Sequence, residues 1–301
     1  MTPTPAPPIN IAHCLHSKKG DESYAKALAA CYISIKERTN RSLSYYIIKD
    51  STTPDRIICN LTDLISKNDS INIIDIESYS DIYSISSKDE IYRPYAPSII
   101  WRVFLAEILD IEHVLCLDTD LIFLCDISNI YDSSITLSPI SAPLRGKSHS
   151  EDYLLSINTD ADKYFRIGVA FMNLKFMRND ANFTNGKWNF LEKKLPSINK
   201  IRSLPEQSVF NYYFSNTNIP LDCCLLPAGA FDSLGRNSVW DDGYGNFKNV
   251  IVDTKGWKNN SPLDLYYWAA LLRTPWKDEA VKFFNKAAKR KTFTWRRLLG
   301  T

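Results

Sequence analysis

Between residues 9 and 117, short apolar runs rich in β-forming residues alternate with longer segments of helical period, and this alternation narrows the fold more than any other feature. Residues 9–15 (INIAHCL) read as a first strand. Residues 24–38 then place Ala27, Leu28, Cys31, Ile33 and Ile35 at roughly helical spacing. A second strand over 43–48 ends at Lys49-Asp50, a turn signal, and a helix over 55–66 leads to a strand over 71–76. A helix over 97–109 precedes a further strand over 114–117. Strand–helix–strand order of this kind predicts an α/β fold built on a doubly wound sheet. In such sheets ligands bind beyond the carboxyl ends of the strands.

One of those ends carries HVLCLDTDLIF, residues 113–123, in which Asp118 and Asp120 interrupt an apolar run. A carboxylate in such surroundings costs several kcal/mol unless it is paired or bound to a cation. Two carboxylates at i and i+2 on a bent strand end turn toward one point, which suits a hard divalent cation that prefers oxygen ligands. The plainer reading is a helix cap or an Asx turn, and the triplet alone does not separate the two. Further along, residues 143–152 (PLRGKSHSED) are polar, a lid or an ordinary surface loop, and residues 165–175 contain a buried strand. Residues 205–214 read as a helix with proline in its first turn. A short strand over 250–253 ends in Asp253, a third candidate oxygen ligand or a turn residue, with Gly256 just beyond it.

Composition limits the alternatives. The 301 residues suffice for one large domain or two ordinary ones, and 36 basic against 34 acidic residues leave a net charge of only +2. Seven cysteines without metal-like spacing read as reduced thiols of a cytoplasmic protein. The proline-rich start, MTPTPAPPIN, lacks the basic and apolar regions of a signal peptide and suggests a disordered leader over residues 1–8. No run approaches the ~18 apolar residues of a membrane span.

These features line up in order with glycosyltransferase family 8, which holds bacterial lipopolysaccharide galactosyl- and glucosyltransferases and glycogenin. Residues 98–132, SIIWRVFLAEILDIEHVLCLDTDLIFLCDISNIYD, resemble the family's block around its own aspartate pair. Residues 164–174, YFRIGVAFMNL, are similar to its Y-F-N-x-G-V-x-L-I-N-L segment, and residues 205–211, PEQSVFN, to its D-Q-D-x-L-N segment. Asp253-Thr254-Lys255-Gly256 sits where the family has H-x-x-G, and residues 9–35 resemble its nucleotide-binding start. The resemblance covers roughly residues 9–276.

It implies a GT-A type, single Rossmann-like domain over residues 9–261 with a central, mostly parallel sheet. It also implies a UDP-sugar donor carrying galactose or glucose, Mn2+ or Mg2+, and retention of anomeric configuration. Asp118, Asp120 and Asp253 would then hold the metal. Ala12, Asp21, Tyr24, Arg102, Asp118, Thr119, Asp120, Arg166, Gly168, Gly256 and Lys258 would line the donor. Glu206 and Gln207 match the catalytic pair facing the sugar. The sequence departs from the family at three places: Asp253 replaces the metal-binding histidine, Arg166 an asparagine of the sugar pocket, and Ser208 the second aspartate of D-Q-D.

The segment over 262–301 is expected to be a helical, basic tail. From residue 276 onward it carries eight Lys or Arg against two acids, interleaved with Trp276, Phe283, Phe284, Phe293 and Trp295. That pattern suits either an anionic membrane surface or a terminal helix whose aromatics pack on the domain. No nucleic-acid module accompanies it. The resulting expectation is a peripheral enzyme at the cytoplasmic face of the inner membrane, acting on a glycan or lipid-linked glycan acceptor. Two alternatives stand beside it. One is a haloacid-dehalogenase-like phosphatase, with Asp241-Asp242-Gly243 as its distal acids. The other is an inactive nucleotide-sugar-binding relative.

Overall fold

The computed structural model describes residues 6–17, 21–135, 138–144, 149–221, 223–227, 250–253 and 264–289. Its main sheet has six strands: β1 (Ile9–Leu15), β2 (Leu43–Lys49), β3 (Ser70–Asp75), β4 (His113–Leu117), β6 (Ile140–Ser141) and β7 (Val169–Asn173). Their order is β3-β2-β1-β4-β7-β6. The first four run parallel, while β7 is antiparallel to both of its neighbours. The α/β sheet expected from the alternating pattern is therefore present, with one reversed strand inside it. β4 and β7 are buried almost throughout, in keeping with near-continuous apolar runs covered on both faces.

A second sheet joins β5 (Leu121–Phe123), β9 (Val250–Asp253) and β8 (Cys224–Pro227), in the order β5-β9-β8. β5 follows the aspartate pair directly, so the chain leaves the main sheet at Leu117 and enters the small one at Leu121.

Helix α1 (Ser23–Lys36) is nearly enclosed, and its core positions include Ala25, Ala27, Ala29 and Ala30. Small side chains let it pack closely on both sides, against the sheets and against α4 (Asp264–Leu271). The expected helix over 97–109 is instead three short pieces: Ser98–Trp101, a 3-10 turn Arg102–Phe104, and Leu105–Ile108. Every residue from 100 to 105 is buried, so packing from all sides sets this backbone, and the β-branched and aromatic residues there resist it weakly. Helix α2 (Asp55–Leu64) covers β2, and α3 (Pro205–Phe214) packs on the broken segment. Within α3, proline occupies the first turn as expected.

The C-terminal part is helical as far as α5 (Lys277–Lys289). Tyr267, Leu271 and Trp276 enter the core beside α1, and Trp276 Nε1 donates to Glu22 Oε2 at 2.9 Å. Lys26 pairs with Glu279 at 2.6 Å, and Arg273 with Glu37. Phe283 stacks on Trp268 at 4.5 Å, and Phe284 packs against the same core. Three of the five tail aromatics thus face the protein; Phe293 and Trp295 lie outside the described residues.

Candidate functional site

The sheet reverses its winding direction between β1 and β4, since the chain steps from β1 outward to β3 and then returns to the other side of β1. The crevice at such a reversal is where ligands bind in open α/β sheets. Asp118 stands at this point, directly after β4. Because β7 is antiparallel, its start lies at the same edge, and Asp118 N donates to Gly168 O at 2.8 Å. The side chains meet there as well. A Cβ placed on Gly168 would stand 2.5 Å from Asp118 Oδ2, so glycine leaves the space that the carboxylate fills.

The other carboxylate oxygen of Asp118 accepts from Arg102 Nη1 at 2.6 Å. Arg102 is 6% exposed. Burial opposes its charge, but the acidic groups around it, Asp118 foremost and Glu206 among them, together hold its pKa above the usual arginine range. Arg102 Nε has no hydrogen-bond partner among the described residues, so the guanidinium retains a donor. Beside it, burial pushes the Glu206 carboxyl up to about 7; Arg102 opposes that rise, and Asp118 adds to it. Glu206 lies in the first turn of α3, and the adjacent Gln207 has a buried Oε1 with no partner among the described residues.

Helix α1 closes the other side. Asp21 accepts from Ser23 N at 2.9 Å and from Ser23 Oγ at 2.7 Å, which fixes the start of the helix. Tyr24 is 45% exposed, and its phenol pKa is raised by burial and then by the nearby charges of Asp120, Asp21 and Asp118. Thr119 is buried between the two aspartates. Asp253 lies in β9 opposite Leu121, one residue from Asp120, and is 7% exposed. Arg166 precedes Gly168 at the same sheet edge. Ala12 is wholly buried in β1 beside Cys116, and its side chain belongs to the core. Gly256 and Lys258 lie outside the described residues.

Asp253 thus pairs with the residue that directly follows the Asp118–Asp120 stretch. Among the described residues, however, no three His, Cys, Asp or Glu side chains converge as a ready ligand set. An all-carboxylate group still fits a hard divalent cation such as Mn2+ or Mg2+, and the space kept open by Gly168 holds Asp118 at the crevice.

Three contributors had little or no signal in the sequence. His13, inside β1, is fully buried and stacks on Tyr45 at 5.8 Å. Burial and then Arg102 push its pKa down to about 3, so it adds no charge beneath the site. Asn211 of α3 clamps the β7 approach: Phe165 N donates to its Oδ1, and its Nδ2 donates to Phe165 O, both at 3.0 Å. Tyr153 reaches Ser208 Oγ at 3.0 Å behind Glu206 and Gln207. A lone histidine in a strand was the one available hint for His13, and the asparagine in the PEQSVFN stretch the one for Asn211.

The phosphatase alternative requires the aspartates to follow the strand that opens the core, whereas β4 is the fourth strand in the chain. Its distal acids, Asp241 and Asp242, lie outside the described residues. Comparison with known proteins points elsewhere. The chain is similar in structure to the bifunctional glycosyltransferase WbbM, with a TM-score of 0.68 and 16% identity over 94% of this chain and 52% of that one. It is also similar to the galactosyltransferase LgtC, solved with donor and acceptor sugar analogues, with a TM-score of 0.67 and 14% identity over 89% of this chain and 96% of that one. Mouse xyloside xylosyltransferase 1 follows at 0.58 and 14% identity, over 84% and 99% of the two chains. These likenesses establish the GT-A fold. A search of curated protein sequences returns no match. The family model "Glycosyl transferase family 8" matches residues 17–225, which contain both aspartates, Arg102, Gly168 and Glu206, and the chain belongs to that family of glycosyltransferase enzymes.

Proposed function

We propose that the protein transfers a hexosyl unit from a UDP-sugar to a glycan of the bacterial surface, with retention of anomeric configuration and with a divalent cation. The observation that carries this reading is the Arg102–Asp118 pair, set against Gly168 where the sheet reverses. Asp118, Asp120 and Asp253 would hold Mn2+ or Mg2+, which supplies Lewis-acid stabilisation of charge on the departing diphosphate.

The remaining work falls to the chain's own groups. Arg102 fixes Asp118 and offers its unpaired Nε to the donor. Glu206, protonated up to about pH 7, donates a hydrogen bond to a sugar hydroxyl, and Gln207 steadies the anomeric region with its unpaired amide oxygen. Below about pH 7 the carboxyl assigned to the sugar, Glu206, is held mainly neutral, which makes it a poor nucleophile. That favours a front-face route through an oxocarbenium-like ion. Tyr24, exposed near the aspartates, offers a ring to the nucleotide.

Peripheral attachment to an anionic membrane, at the cytoplasmic face, rests on the eight basic against two acidic residues from position 276 onward. Asp120→Asn tests the core of the reading: metal-dependent UDP release from UDP-sugars is expected to vanish while circular dichroism stays unchanged. Near-normal turnover in that variant sinks the metal role. A wild-type protein that binds UDP but never turns over is the inactive relative instead.

A further inference from the structure

Charge around the crevice is unevenly spent. Arg102 is committed to Asp118 at 2.6 Å. Arg166, by contrast, has no hydrogen bond or ion pair to its guanidinium among the described residues, although it is half-buried. Its placement follows from the backbone around it. Arg166 N donates to Pro143 O at 2.9 Å, Phe165 bridges to Leu144, and Gly168 O accepts from Asp118 N at 2.8 Å, so residues 165–167 approach β7 along a neighbouring segment and the chain bends at Gly168. Alternate residues of an extended chain face the same side. Burial follows that period: Phe165, Ile167 and Val169 are at most 1% exposed, while Arg166 and Gly168 between them are open. The Gly168 side is the Asp118 side, because a Cβ there would stand 2.5 Å from Asp118 Oδ2. Arg166 therefore occupies the same face one step out, about 6–7 Å from Gly168 by the rise of a strand.

Asn211 makes this placement firm. Its two 3.0 Å hydrogen bonds to Phe165 hold the backbone immediately before Arg166. A half-buried guanidinium on a fixed backbone, without a protein anion among the described residues, is a ready partner for a carboxylate, whose two oxygens match its planar fork.

We propose that Arg166 binds a carboxylate on the donor sugar, so that the preferred donor is a UDP-hexuronate and not a neutral UDP-hexose. This rests on the nucleotide-sugar reading above and narrows its sugar. The aspartates, with the cation they suit, answer to the diphosphate; Arg166, beyond them on the same face, answers to a second anion.

Titration calorimetry on the full chain with Mn2+ tests it, using UDP, UDP-glucose, UDP-galactose, UDP-glucuronate and UDP-galacturonate. At least one uronate is expected to bind about 10- to 100-fold more tightly than its matching hexose, the range of a charge-assisted hydrogen-bonded pair. In Arg166→Gln the two affinities converge, and in Arg166→Lys part of the difference remains. Equal affinities in the wild type, or a preference that survives Arg166→Gln, overturn the proposal. So does a rise in acceptor KM in Arg166→Gln without a donor preference, which moves the guanidinium to an acceptor anion. Failure of UDP itself to bind defeats the nucleotide-sugar reading, and this one with it.

Discussion

Adding one carbon at Gly168 sets it 2.5 Å from an Asp118 oxygen, so Gly168→Ala must either push Asp118 off Arg102 or open the β4–β7 pairing. Misplacement of a catalytic group by about 1 Å can cost about a hundredfold in rate. That variant is therefore expected to lose about two orders of magnitude in kcat while its melting temperature changes little; wild-type kcat would show that Asp118 is not held in place by this contact. Glu206 makes a prediction in pH. Its folded pKa, about 7, lies above the ordinary carboxyl value of 4.5, so the native state binds its proton more tightly than the unfolded state. The stability this gives is fully present below pH 4.5 and is lost as pH rises through 7. Thermal melts of the unliganded protein should thus show the wild type losing stability relative to Glu206→Gln between about pH 5 and 8. A constant difference across that range rules out the raised pKa. Of these residues, Asp118 and Asp120 were legible because apolar neighbours framed them; the buried neutrality of His13 was not, since it depends on Tyr45 and Arg102, which are distant in the chain.

The first turn of α3 presents Glu206 and Gln207, and a short chain of hydrogen bonds sets its position. Ser208 Oγ donates to Leu204 O at 2.8 Å, so the 3.0 Å contact with Tyr153 is a donation from the phenol. Tyr153 is fully buried. Tyr153→Phe removes one bond and leaves Ser208 still paired, and a stability loss of about 1 kcal/mol is expected, with kcat falling more than donor KM changes. Urea unfolding and steady-state kinetics check both parts; a rise in KM alone would mean the contact shapes binding and not the catalytic turn. Strands β1, β2 and β4 and helices α1, α2 and α3 were readable because period and turn chemistry agree within each short segment. The broken helix at residues 98–108 was not, because burial from every side overrode its helical period. The link from Tyr153 to Ser208 spans 55 residues, and no local pattern encodes it.

Across the whole molecule, the described C-terminal helices pack on the body, one of the two placements that their basic, aromatic pattern allowed. Leu271 is 0% exposed in the core shared with α1. Leu271→Ala is expected to cost about 2–5 kcal/mol of unfolding free energy; a loss below about 1 kcal/mol in denaturant titration would mean that α4 is only loosely seated. The basic pattern of the tail was plain in the sequence, whereas its docking was not, since aromatics in a charged helix look the same facing a membrane or facing a neighbour. The same docking orders events during synthesis. Trp276 caps a contact with Glu22 across 254 residues. At about 5–20 residues per second, the ribosome makes α1 tens of seconds before the helix that covers it. Throughout that interval the α1 side of the crevice must wait, half-built, with its alanine-lined helix open to water or to a chaperone.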